Sequence, residues 1–106
     1  MTSRLVVRPA VEADMIAAAL WYEARANGLG ADFLRAVDDA LAEIQRMPER
    51  FPVVHAQCRR ALLRRFPHGI YFVPTAELIR VVACLHARRD PRRWEERASW
   101  LAEAQR

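Results

Sequence analysis

Residues 58–86 read CRRALLRRFPHGIYFVPTAELIRVVACLH, and this stretch decides the fold. Its apolar residues recur with a period of 2, and Pro67, Gly69 and Pro74 punctuate it. Three strands are therefore expected, over 58–66, 69–73 and 78–85, joined by short turns into a meander. In the middle one, Tyr71 and Val73 alternate with Ile70 and Phe72, so both faces are apolar and the strand belongs at the centre of a sheet. In the last, Ile79, Val81, Ala83 and Leu85 should face a helical layer. The alternate residues Arg80, Val82, Cys84, His86 and Arg88 make a mixed polar face.

Upstream the pattern changes. Residues 5–8 form a short β-type run stopped by Pro9. Residues 11–25 follow helical spacing through Met15, Ile16, Ala19 and Leu20, and Asn27 and Gly28 suit its end. A second helix is expected to start near Gly30 or Ala31, with Asp32 in its first turn and a stripe of Phe33, Val37, Ala40, Leu41 and Ile44. Pro48 ends it. A connection as short as Gly28-Leu29-Gly30 makes the two helices an antiparallel hairpin. Downstream, Asp90-Pro91 opens a last helix, Asp as N-cap and Pro at the first position. The expected architecture is α+β, in the order β-α-α-β-β-β-α. A single domain over 1–106 packs the helical hairpin on one face of a mainly antiparallel four-stranded sheet.

Length and composition agree with one folded core. The chain has 106 residues, 53% of them hydrophobic and 28% charged, which is the mix of a globular domain. Three Gly leave no material for a phosphate-cradling loop. The longest apolar run, residues 15–22, is far short of the ~18 residues of a membrane span. No leader-like segment opens the chain, so a cytoplasmic location and reduced Cys58 and Cys84 are expected.

The charge is unevenly placed. Every basic residue is Arg, and the net charge is +4. Residues 1–54 carry 6 Arg and 8 acids, whereas residues 55–97 carry 10 Arg and 4 acids. A positive half of this kind attracts a phosphate backbone or an acidic protein surface. Two pairs break local rules there. Arg92 and Arg93 would sit in a helical first turn, where the dipole disfavours cations, and Arg64 and Arg65 are adjacent in an expected strand. Leu20, Trp21, Phe33, Leu34, Val37 and Leu41 are more apolar residues than one sheet face requires, and Trp100 lies off the apolar face of the last helix. His55 and Cys58 with Cys84 and His86 imitate a zinc-ligand spacing, but nothing in the sequence forces the two halves together.

These residues resemble a known family. Trp21-Tyr22-Glu23, Gly28-Leu29-Gly30, Phe33 and Val37 look like the helical hairpin of the RelE/ParE toxin superfamily. So does the run from Arg60 to Phe72. The clearest similarity is Ile79-Arg80-Val81 with His86-Ala87-Arg88-Arg89-Asp90-Pro91, Trp94 and Arg97. The resemblance covers residues 11–97. It implies the toxin of a type II toxin–antitoxin (plasmid stabilisation) module, held inactive in a hetero-oligomer by a cognate, DNA-binding antitoxin. It implies no cofactor and no metal.

The branches of that family differ. ParE-like members poison DNA gyrase by binding, and RelE-like members cleave mRNA on the ribosome. The absence of Lys, and of any Tyr after Tyr71, favours the ParE-like branch. Arg65, His86, Arg88, Arg89 and Arg92 are then the expected target-binding residues. Leu20, Trp21, Leu34, Val37, Leu41 and Trp100 are the expected antitoxin-binding ones. Under the alternative, a ribosome-dependent endoribonuclease, His86 would be acid or base and Arg64, Arg80 and Arg88 would clamp the phosphate.

Overall fold

The first strand ends before Pro9, and Pro9 itself starts a helix. Arg8 is extended (φ −73°, ψ 151°), and Pro9 is the first residue of α1, Pro9–Glu23. First-turn N–H groups have no intrahelical acceptor, so a residue without one is tolerated there. β1, Arg4–Val7, precedes it. The structure is a computed structural model that describes residues 4–88.

The hairpin forms as expected, but its connection differs. α2 runs Leu29–Arg46, so Gly30 lies inside the helix and residues 24–28 make the turn, with Gly28 left-handed at φ 86°. Glu23 explains the tight geometry. Its carboxylate accepts from the backbone N–H of Gly28 at 3.1 and 3.0 Å and of Gly30 at 3.0 Å. The end of α1 thereby caps the positive end of α2. Gly30 itself is required by close approach, since a Cβ there would lie 2.5 Å from the Ala19 carbonyl oxygen.

After a short 3-10 turn, Pro48–Arg50, come β2, Val53–His55, β3, Cys58–Leu62, β4, His68–Pro74, and β5, Leu78–His86. They form a sheet in the order β1-β5-β4-β3-β2, with β4 in the middle and buried along most of its length. β1 runs parallel to β5, and the other neighbours are antiparallel. The class is α+β. The sheet has five strands and is mixed, where four were expected; β2, at three residues, is too short for a period to register. β3 ends at Leu62 rather than at Phe66, which leaves Arg64 and Arg65 in the β3–β4 turn and Arg65 left-handed at φ 70°. The expected last helix, with Arg89, Arg92, Trp94 and Trp100, lies outside the described residues.

One irregularity in β5 governs what faces what. Tyr71 pairs with Ala83, but Phe72 pairs with Val81, so β5 carries one extra residue at Val82. Such a bulge reverses the side-chain alternation beyond it. Ile79 and Val81 face the helices, and so does Cys84; Ala83 and Leu85 do not. The expectation that all four alternate residues share the helical face is thus corrected. The helix-side core joins Val11, Met15 and Tyr22 of α1 and Phe33, Val37 and Ile44 of α2 to Ile70, Phe72, Ile79 and Val81. Cys58, Tyr71, Val73, Val82, Ala83 and Leu85 cluster on the opposite face.

Candidate functional site

The arginines of the basic half occupy separate places. Arg59 is structural: its guanidinium donates to the carbonyls of Phe51 at 2.6 Å and Glu49 at 3.2 Å. Arg64 and Arg65 lean from the β3–β4 turn towards α2, 3.8 Å from Glu43 and 3.6 Å from Asp32. They border a cleft of about 510 Å³ between that turn and α2, whose rim mixes Asp32, Asp39 and Glu43 with Arg35 and Arg46. Both are largely exposed, so these ion pairs contribute little to stability. Arg88 is exposed at the end of β5.

His86 is not beside Arg80. The bulge turns it to the helical side, where it pairs across the strands with His68. The two imidazole centroids are 5.4 Å apart at 64°. His68 is buried against Tyr22 and Phe33, its Nδ1 3.3 Å from the Tyr22 hydroxyl. The Arg88 backbone N–H donates to His86 Nδ1 at 3.1 Å. A neutral His86 therefore carries its proton on Nε2. His68 and Tyr22 were absent from the expected site residues, because the pairing depends on a bulge that apolar Val82 and Ala83 do not announce.

Arg80 lies on the opposite face, with Arg60 and Tyr71. The Nε atoms of Arg60 and Arg80 are buried and have no hydrogen-bond partner among the described residues. Burial pushes the Tyr71 phenol above its ordinary range, and the Arg60 guanidinium beside it works the other way. Of the groups proposed by sequence for RNA cleavage, His86, Arg64 and Arg80 are consequently not brought together. One points to the helices, one sits in a turn, and one is on the far face of the sheet.

The hairpin residues divide cleanly. Leu20 (66% exposed), Trp21 (42%) and Leu34 (39%) point outwards, joined by Ile16 (56%), which sequence reasoning left out. Val37 is 2% exposed and belongs to the core, and Leu41 packs against it. Val37 lacks the exposure of a docking residue, which corrects that expectation, and Leu41 is half-buried. The cause is α2 itself. Its apolar residues fall in one narrow stripe directed at the sheet, whereas α1 is apolar around most of its circumference.

Cys58 and Cys84 are free thiols on opposite faces of the sheet, so the zinc-like spacing does not converge. Burial pushes Cys58 up to about 11 and Cys84 up to about 12, the latter helped by Asp14. Among the described residues no group of three His, Cys, Asp or Glu side chains could hold a metal ion, and no helix is long and apolar enough to cross a membrane. Compared with models of known protein families and with curated proteins, the chain matches none.

Proposed function

We propose that this chain is the toxin of a type II toxin–antitoxin module of the RelE/ParE kind, acting in the cytoplasm. On this reading it arrests growth by binding DNA gyrase and is neutralised by a cognate antitoxin. The observation that carries the reading is α1. A helix that fills a core with one face needs no apolar residues on the other, yet Ile16, Leu20 and Trp21 are exposed there, with Leu34 on α2. An antitoxin segment that lays an apolar face on the hairpin supplies the missing cover. The ParE-like mode is favoured because the sequence-derived acid or base, His86, is separated from Arg64 and Arg80. Exposed Arg64, Arg65 and Arg88 are suited to an acidic or phosphate-bearing target.

A specific observation favours the alternative, a ribosome-dependent endoribonuclease. Arg60 and Arg80 lie beside Tyr71 on the outer sheet face, each with a buried Nε without a hydrogen-bond partner among the described residues, and paired guanidinium groups of this kind would clamp a phosphate. Pulse-labelling after tight induction separates the two. Gyrase binding predicts that thymidine incorporation falls before methionine incorporation, and that Arg64→Glu with Arg65→Glu and Arg88→Glu removes the effect. A prior fall in methionine incorporation, abolished by Arg80→Gln alone, establishes the ribonuclease instead.

A further inference from the structure

Ile16 and Leu20, one turn apart on α1, are 56% and 66% exposed, and Trp21 next to Leu20 is 42% exposed. Ala13, Ala17 and Ala24 are exposed as well, so the side of α1 opposite the core is apolar from Ala13 to Ala24. Leu20 stands between Ala17 and Ala24 on that side, which leaves room for an equally large residue of an opposing helix.

The flanking charges decide the occupant. Asp14 and Arg25 are eleven residues apart, close to three helical turns, so they lie on the same flank at opposite ends of α1. Arg25 is held there. Its guanidinium is 3.5 Å from the centre of the Trp21 ring and donates to the Trp21 carbonyl at 3.4 Å. A second copy of α1, antiparallel and presenting the same side, brings its Arg25 beside Asp14 and its Asp14 beside Arg25. That order also opposes the two helix dipoles, whereas a parallel copy would set like charges side by side. The midpoint of the charge pair falls at Ala19 and Leu20. The register that satisfies the charges is therefore the one that places the most exposed large apolar residue of α1 against its own counterpart.

We propose that the chain forms a two-fold homodimer through α1, the helices antiparallel, with Leu20 at the dyad and an Asp14–Arg25 ion pair on either side of it. The pairing itself does not rest on the toxin reading. Its consequence does: a second copy and an antitoxin that docks on the same face of α1 exclude each other, so neutralisation begins by separating the dimer.

Sedimentation velocity on the purified full chain, over a micromolar concentration series, reads the mass. A reversible shift towards twice the chain's 12.2 kDa is expected, of modest affinity because a contact of about four helical turns is small. Leu20→Glu sets two carboxylates against each other at the dyad and should weaken the dimer about tenfold or more. Arg25→Asp and Asp14→Arg should each weaken it about tenfold, and the double variant, which exchanges the charges, should recover most of that loss. Cysteine trapping tests the geometry without altering charge. In Leu20→Cys the two new thiols meet, and mild oxidation should give a covalent dimer. In Ala13→Cys they lie about 20 Å apart along the helix axes and should not join. Cys58 and Cys84 are buried and do not compete. A chain that stays monomeric across the series, a dimer indifferent to Leu20→Glu, or Ala13→Cys cross-linking as readily as Leu20→Cys overturns the proposal. So does a charge exchange that fails to restore pairing in a chain whose circular dichroism is unchanged. If Leu20→Glu unfolds the chain, the two cysteine variants decide.

Discussion

α1 and α2 do the same structural job on the same sheet face, yet they are built differently. α2 directs Phe33, Val37 and Ile44 at the core and surrounds them with Asp32, Arg35, Asp38, Asp39 and Glu43, so that Leu34 is the one large apolar residue it leaves exposed. α1 buries Val11, Met15, Ala19 and Tyr22 and still exposes Ile16, Leu20 and Trp21. The difference teaches where to look for function. A helix whose pattern is exhausted by its own core has little left for a partner, whereas surplus apolar surface is costly in water and needs another explanation.

The sharpest test of that contrast is on α2. Phe33 is fully buried, stacked on Tyr22 with centroids 5.3 Å apart and edge-on to Phe66 at 5.3 Å. Phe33→Ala should lower the unfolding free energy by about 3–5 kcal/mol, the range for a buried aromatic truncated to a cavity, and chemical denaturation measures it. The seam between the helices comes next. A Cβ at Gly30 would meet the Ala19 carbonyl oxygen at 2.5 Å, and a backbone atom cannot swing aside as a long side chain can. Gly30→Ala should therefore cost about 1–3 kcal/mol, although alanine is the better helix former. An unchanged midpoint would show that the helices are less closely apposed.

α2 was also the more legible helix in the sequence. Its stripe, its acidic first turn and its stop before Pro48 all follow from spacing and turn chemistry. The order of the β3–β5 meander and the central place of β4 follow from the period of 2 and the doubly apolar Ile70-Tyr71-Phe72-Val73. What could not be read is the phase of β5. From Val81 to Leu85 every residue is apolar, so a shift of one leaves the pattern unchanged, and no Gly marks the bulge. That single residue moves His86 from the face of Arg80 to the face of His68. The fold survives the error because class and strand order do not depend on phase; the site does not, because a site is defined by which side chains share a face.

The two cysteines report on the burial of both sheet faces. Cys84 lies beneath α1 and Cys58 on the opposite face, and burial holds both thiols protonated well above neutral pH. A thiol whose folded pKa is raised contributes stability fully below its unfolded value of ~8.5 and loses that contribution as pH rises through the folded one. Stability should accordingly fall from about pH 9 towards the values near 11 and 12. At neutral pH both should resist alkylation until unfolding. Rapid labelling of Cys84 in the native protein would mean that it is not buried beneath α1.

The smallest stability effect carries the most functional weight. Ile16 and Leu20 are one helical turn apart on α1 and more than half exposed, so their truncation or replacement removes little buried area. Ile16→Glu and Leu20→Glu should each change the unfolding free energy by no more than about 0.5 kcal/mol, as surface substitutions do. If the exposed face of α1 is where an antitoxin docks, the same variants should stay toxic when induced alone and escape neutralisation when the antitoxin is co-expressed. A charge placed in an apolar interface without a partner weakens association far more than it weakens the fold. Matching substitutions on α2, such as Asp39→Lys, should leave neutralisation unchanged. If the α1 variants instead unfold the protein, their side chains are part of its core and the contrast between the helices fails. If they fold and are neutralised normally, the surplus apolar face of α1 is not the antitoxin surface.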